Sequence, residues 1–301
     1  MDGLFQQPAK ISAMTNVECV CEIGAQLGEG PLWSASERAV WFVDIKGQHI
    51  HRYEEKSGGL RSWDTPEEVG FVVPAAHGRF ICGLKSGLHA FDPGSGQFNL
   101  IARVDSDRPR NRLNDAHVDA RGRLWFGTMD NDEVRPTGAL YRFDTQGLRL
   151  CDDHYVITNG PATSPDGRVL YHNDTLERLV YAFDLDGEGG LSNRRIFARV
   201  ENGYPDGPTV DATGCLWVGL YGGGAVNRYS PSGALLDTLK LPVSNCTKAV
   251  FGGEDLRTLY VTTAWKGLSE AQRKEQPLAG GLFAVRVDVP GLPPNEVRYN
   301  G

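Results

Sequence analysis

No run of apolar residues in this sequence approaches the ~20 that cross a bilayer as a helix. Neither a spanning segment nor a membrane partner is therefore expected. Blocks of like charge are also missing. Acidic residues outnumber basic ones, 38 to 31, for a formal net charge of −7. A phosphate-binding surface needs clustered Lys and Arg, so nucleic acid is not an expected partner. The six cysteines (Cys19, Cys21, Cys82, Cys151, Cys215, Cys246) are scattered and form no CxxC. That usage fits reduced, buried thiols in a cytoplasmic protein. The start, "MDGLFQQPAKISAMT", has no basic start followed by an apolar stretch, as a signal peptide would, and 1–16 reads as a polar lead-in. No GxSxG elbow is present, which argues against an α/β-hydrolase. The glycines of "LYGGGAV" lack a following helix and a Lys-Ser/Thr pair, so they make a tight turn and not a phosphate loop. Long helical patterns are absent as well.

What remains is a chain of short strands and turns. Glycine (37) and proline (17) are spread evenly. Six segments align: "RAVWFVDIKG", "GRFICGLKSG", "GRLWFGTMD", "RVLYHNDT", "CLWVGLYGG" and "RTLYVTTAWKG". Each carries a large apolar anchor, at Trp41, Ile81, Trp125, Tyr171, Trp217 and Tyr260, spaced by 40, 44, 46, 46 and 43 residues. A second segment with period-2 alternation follows each, such as "ALYRFDT" and "LVYAFDL". Turn chemistry such as "DARG", "SPDG" and "DATG" precedes several anchors. Six units of about four strands predict an all-β fold, a six-bladed β-propeller over residues 17–301. The segment "VECVCEIG" (17–24) is expected to join the last blade and close the ring. His49 and His51 alternate on a strand without a third ligand and read as part of an exposed outer strand.

The repeat singles out polar residues. Glu29 and Asn159 stand 12 residues before their anchors, and Asp206 and Asn114 stand 11 before theirs. Glu29, Asn159 and Asp206 each precede a Gly-Pro, read as a turn at the rim. Rotation about a propeller axis would bring these side chains to one mouth of the central channel. Two close carboxylates repel unless a proton or a cation lies between them. An all-oxygen set suits calcium, magnesium, manganese or ferrous iron. Zinc, which favours His and Cys, is the least expected.

The stretches "LGEGPLW", "NRLNDAHVDARGRLWFGTMD", "ITNGPATSPDG", "YPDGPTVDATGCLWVGLYGGG" and "TTAWKGLSEAQRKEQPLAGGLFAV" resemble, nearly end to end, the SMP-30/gluconolactonase/LRE-like family. Within it the similarity is closest to bacterial aldonolactonases such as xylonolactonase. The resemblance implies one divalent metal ion held by Glu29, Asn159 and Asp206. It implies substrate contacts from Arg112, Asn114 and an acidic residue after "GTM". That position falls on Asp132, with Asp130 and Glu133 as alternatives in the same loop. Many relatives carry Arg after "TTA" where this chain has Trp265. The chemistry implied is hydrolysis of a small sugar lactone such as xylono-, arabinono- or gluconolactone by a monomer. The metal would act as Lewis acid and Asp206 as general base. A phosphotriesterase on the same site, or a calcium-binding propeller without turnover, are the competing readings.

Overall fold

A computed structural model describes residues 16–299; the expected lead-in lies, except for Asn16, outside the described residues. Strands dominate. The α-helix among the described residues, Glu270–Glu275, is short and capped by Ser269. No helix there is long and apolar enough to cross a membrane.

The strands form four four-stranded sheets and one eight-stranded sheet. The eight-stranded sheet divides into two antiparallel groups of four, tied by one parallel pair, Gly207 with Lys248. The strand Glu18–Cys21 pairs antiparallel with Leu282–Arg286, so a strand from the start of the chain completes the last group, as expected for 17–24. The first strands of the groups pack in a ring. Gly28–Ser34 lies on Val69–Pro74, then come Asn111–Val118, Thr158–Thr163, Tyr204–Val210 and Cys246–Gly252, which lies back on Gly28–Ser34. Such a ring of antiparallel sheets is a β-propeller.

The repeat anchors occupy the second strands, and none is more than 3% exposed. The preceding turns hold two of them. Asp119 Oδ2 accepts from Trp125 Nε1 at 2.9 Å, and Asp211 Oδ2 accepts from Trp217 Nε1 at 3.0 Å. The other oxygen of each takes main-chain N–H groups of its own turn, from Arg121 and Arg123 or from Thr213 and Cys215. One carboxylate thus fixes both turn and anchor. Arg123 and Arg228 pair with these aspartates and neutralise the buried charge.

Two expectations need correction. The strand His49–Glu54 is the third of its group and is covered by Leu60–Asp64. His51 is consequently buried, with Nδ1 2.8 Å from Ser62 Oγ, and only His49 reaches the surface. All six cysteines are free, but Cys19, Cys21 and Cys151 are only half-buried. Near the C-terminus, residues 291–298 run across one end of the ring. Gly291 bridges to Asp211, Asn295 Nδ2 donates to the Val118 carbonyl at 3.1 Å, and Val297 N donates to the Pro74 carbonyl at 2.9 Å.

Candidate active site

The Gly-Pro pairs do not make rim turns. They lie inside the first strands as bulges. Glu29 faces Val43 and Leu32 faces Trp41, so Gly30 and Pro31 together oppose Phe42. Asn159 and Ala162 flank Gly160 and Pro161 in the same way. In Tyr204–Val210 the extra residues are Asp206 and Gly207, and in Asn111–Val118 they are Asn114 and Asp115. Proline has no N–H to give a ladder, and Gly30 and Gly160 supply positive φ of 54° and 85°. A bulge re-aims the side chains beside it. Here it aims them at one cavity.

That cavity, of about 280 Å³, is lined by Glu29, Asn159, Asp206, Arg112 and Asn114. Leu27, Met129, Ile157 and Leu176 add apolar wall, and Tyr204, Tyr221, Thr175, Glu133 and Lys266 complete it. Every residue selected by the repeat count therefore faces the same space.

A hydrogen-bond chain sets the orientation of the amides. Arg112 Nη1 donates to Asn114 Oδ1 at 2.6 Å. Asn114 Nδ2 donates to Asn159 Oδ1 at 2.9 Å and to the Thr158 carbonyl at 2.6 Å. Asn159 Nδ2 donates to Thr175 Oγ1 at 2.9 Å, which donates on to the Pro205 carbonyl at 2.9 Å. Asn159 Oδ1 keeps one lone pair beyond that used by Asn114. Arg112 is further pinned through Nε to Asn131 Oδ1 at 3.0 Å, while its Nη2 has no hydrogen-bond partner among the described residues.

Glu29 and Asp206 are 4% and 5% exposed and stand close enough to act on each other's charge. Burial, then the charge of Asp115, pushes the Glu29 carboxyl up to about 7. Burial, then Glu29, holds Asp206 well above the usual carboxylate range. Two buried carboxyls at close range need a proton between them or a cation in its place. The set has two acids and an amide; no group of three His, Cys, Asp or Glu poised for a metal occurs among the described residues.

Asp132 stands outside the lining: its side chain is 54% exposed and pairs with Arg110 at 2.8 Å. Asp130 is fully buried and spent on Arg135 and the N–H groups of Val134 and Arg135. Glu133, the third acid of that loop, lines the cavity and pairs with Lys266. Trp265 donates Nε1 to the Gly24 carbonyl at 2.9 Å and lies under the Arg273 guanidinium, so Lys266 and not Trp265 lines the cavity. Thr175, Lys266 and the buried Asp115–Lys248 pair carry no motif of their own. Lys248 does carry a positional signal: it stands 12 residues before Tyr260, as Glu29 does before Trp41.

Residues 27–265 match the model of the SMP-30/gluconolactonase/LRE-like region. A 6-deoxy-6-sulfogluconolactonase of Pseudomonas putida is 36% identical over 91% of this chain and 96% of its own. Regucalcin of Danio rerio is 37% identical over 92% of this chain and 97% of its own. Among solved structures, a calcium-binding protein, regucalcin of Agrobacterium tumefaciens, superposes with a TM-score of 0.90 at 26% identity, covering 96% of this chain and 97% of that one. With this match, these relatives and a propeller of the same shape, the chain belongs to the SMP-30/gluconolactonase/LRE-like family.

Proposed function

We propose that the protein is a divalent-metal-dependent lactonase that opens an aldono-1,4- or 1,5-lactone to the aldonic acid. The observation that carries the reading is the meeting, in one cavity, of the oxygen trio Glu29, Asn159 and Asp206 with the pinned guanidinium of Arg112. The relative named a 6-deoxy-6-sulfogluconolactonase supports the reaction type, and the calcium-binding neighbour supports a divalent ion. The fold is read as six blades over 17–301, one for each anchor and each first strand of the ring. Six free cysteines support a reducing, cytoplasmic setting, and the unit of action is read as the monomer.

Glu29, Asn159 and Asp206 would hold the ion; calcium, magnesium, manganese and ferrous iron all suit these donors. Bound there, it would polarise the lactone carbonyl and acidify a water. Asp206 accepts the proton of the attacking water; burial and the neighbouring Glu29 raise its affinity for a proton above that of an ordinary carboxylate. Arg112 Nη2 donates to the ring hydroxyls or the developing oxyanion, its guanidinium already fixed by three hydrogen bonds. Glu133 takes the acidic substrate position in place of Asp132, with Asn114 holding Arg112 and Asn159 in register. The apolar wall excludes water around these charges.

The Glu29 carboxyl gives a pH signature. Its folded value, about 7, exceeds the ordinary 4.5, so the metal-free fold keeps a proton that the unfolded chain has released. That contribution to stability is present below about pH 4.5 and is lost as the pH rises through about 7. A bound cation displaces such protons. Manganese(II) should therefore raise the melting temperature more at about pH 8 than at about pH 5.5. An equal rise at both would contradict ligation by these carboxylates.

Acid release from a panel of substrates tests the function. A pentonolactone should be hydrolysed and a phosphotriester should not. The reverse preference would move the assignment to a phosphotriesterase, and no turnover of either would leave a binding propeller.

A further inference from the structure

Behind the oxygen trio lies an ion pair that the proposed reaction does not use. Lys248 Nζ donates to Asp115 Oδ1 at 2.6 Å and to the Ala116 carbonyl at 2.9 Å. The two side chains are only 9% and 1% exposed. Both residues occupy the second bulge position of their first strands, Asn111–Val118 and Cys246–Gly252. Those strands stand three steps apart either way round the ring, so the pair meets across the axis. It also separates two spaces. Asn114, before Asp115, lines the candidate active site. Ala116, after it, lines a second cavity of about 160 Å³ at the far end, as does Lys248.

The pair grips the main chain beside two of the trio. Asp115 Oδ2 accepts from Gly160 N at 2.9 Å, the residue after Asn159. The Lys248 stem lies over Gly207, the residue after Asp206. A Cβ at Gly207 would fall 2.5 Å from Lys248 Cγ, so only glycine admits this approach. The charges are also felt by the acids: Asp115 opposes negative charge on Glu29 and Asp206, and Lys248 favours it on Glu29.

A buried ion pair is a weak source of stability, because desolvation offsets its attraction. Its place on the axis fits another task. With Lys248 present, Asp115 is balanced, and the charge offered to a cation is that of Glu29 and Asp206 alone. We propose that Asp115 and Lys248 are positioning residues forming a charged floor, which holds the ligand strands in register and matches the site to one divalent cation. The inference rests on the metal reading above.

The test is calorimetric titration of the full chain with manganese(II) alone, in wild type, Asp115→Asn, Lys248→Met and the double variant. Asp115→Asn leaves an unbalanced ammonium beside the site and should weaken manganese(II) binding by about tenfold or more. Lys248→Met should bind at least as tightly as wild type. The double variant should return to within about threefold of wild type, as the charge is again balanced. If Lys248→Met does not fold, the weakening by Asp115→Asn and its recovery in the double variant still decide. Affinities that follow melting temperature and not charge, or that do not move at all, overturn the floor and leave the metal reading standing. A wild-type chain that takes up no divalent ion overturns both.

Discussion

Asp206→Ala should lose about 10²–10⁴-fold in kcat/KM on a pentonolactone from the missing base alone, and more from the missing ligand. The residue stands at the bulge of Tyr204–Val210, 5% exposed, beside the carboxyl of Glu29. Its removal takes away a carboxyl that burial and Glu29 already disfavour as an anion. The metal-free variant should still fold and melt close to metal-free wild type, since the charge repulsion removed offsets the contact with Glu29 that is lost. The stabilisation by manganese(II) should vanish. Rate and melting temperature, each with and without the ion, are the measurements. A variant that keeps its rate within tenfold of wild type would remove Asp206 from the chemistry. A variant that unfolds would mean that the side chain serves the fold.

Arg112→Ala should act on turnover and spare the metal. Its guanidinium is held by Asn114, Asn131 and the Leu113 carbonyl, and only Nη2 is left for a substrate. A fixed donor that strengthens its contact in the transition state contributes ~2–4 kcal/mol, roughly 10²–10³ in rate. Manganese(II) affinity should change by no more than a few-fold, because Asn114 keeps its bonds to Asn159 and the Thr158 carbonyl. Wild type should prefer aldonolactones to γ-butyrolactone, which lacks ring hydroxyls, and the variant should lose much of that preference. Equal rates on both lactones in wild type, or unchanged kinetics in Arg112→Ala, would contradict this role.

Much of the site was legible in the chain because a propeller turns sequence period into spatial rotation. Counting back from buried anchors such as Trp41 and Tyr171 found Glu29 and Asn159, and the structure aims both at one cavity. The local geometry was harder to read. Gly-Pro is common in turns, and its placement inside a strand depends on the facing residue, Phe42 or His172, which only the sheet register reveals. The acidic loop shows a different limit. Asp130, Asp132 and Glu133 are chemically interchangeable in sequence. Arg135 and Arg110 claim the first two, and Glu133, at φ 59°, is turned toward Lys266. That partner lies 133 residues away, across the ring. Lys248 shares with Glu29 the count of 12 residues to its anchor but sits further on, inside the bulge, and its meaning comes only when Asp115 is seen opposite it.

The central claim is that Glu29, Asn159 and Asp206 make lactone hydrolysis depend on a divalent ion. The most direct measurement is acid release from a pentonolactone by the full chain before chelation, after it, and after add-back of calcium, magnesium, manganese(II) or ferrous iron in turn. The account predicts that chelation abolishes the rate and that at least one ion restores it, in wild type but not in Asp206→Ala. A chelated, metal-free protein that keeps its full rate would contradict it.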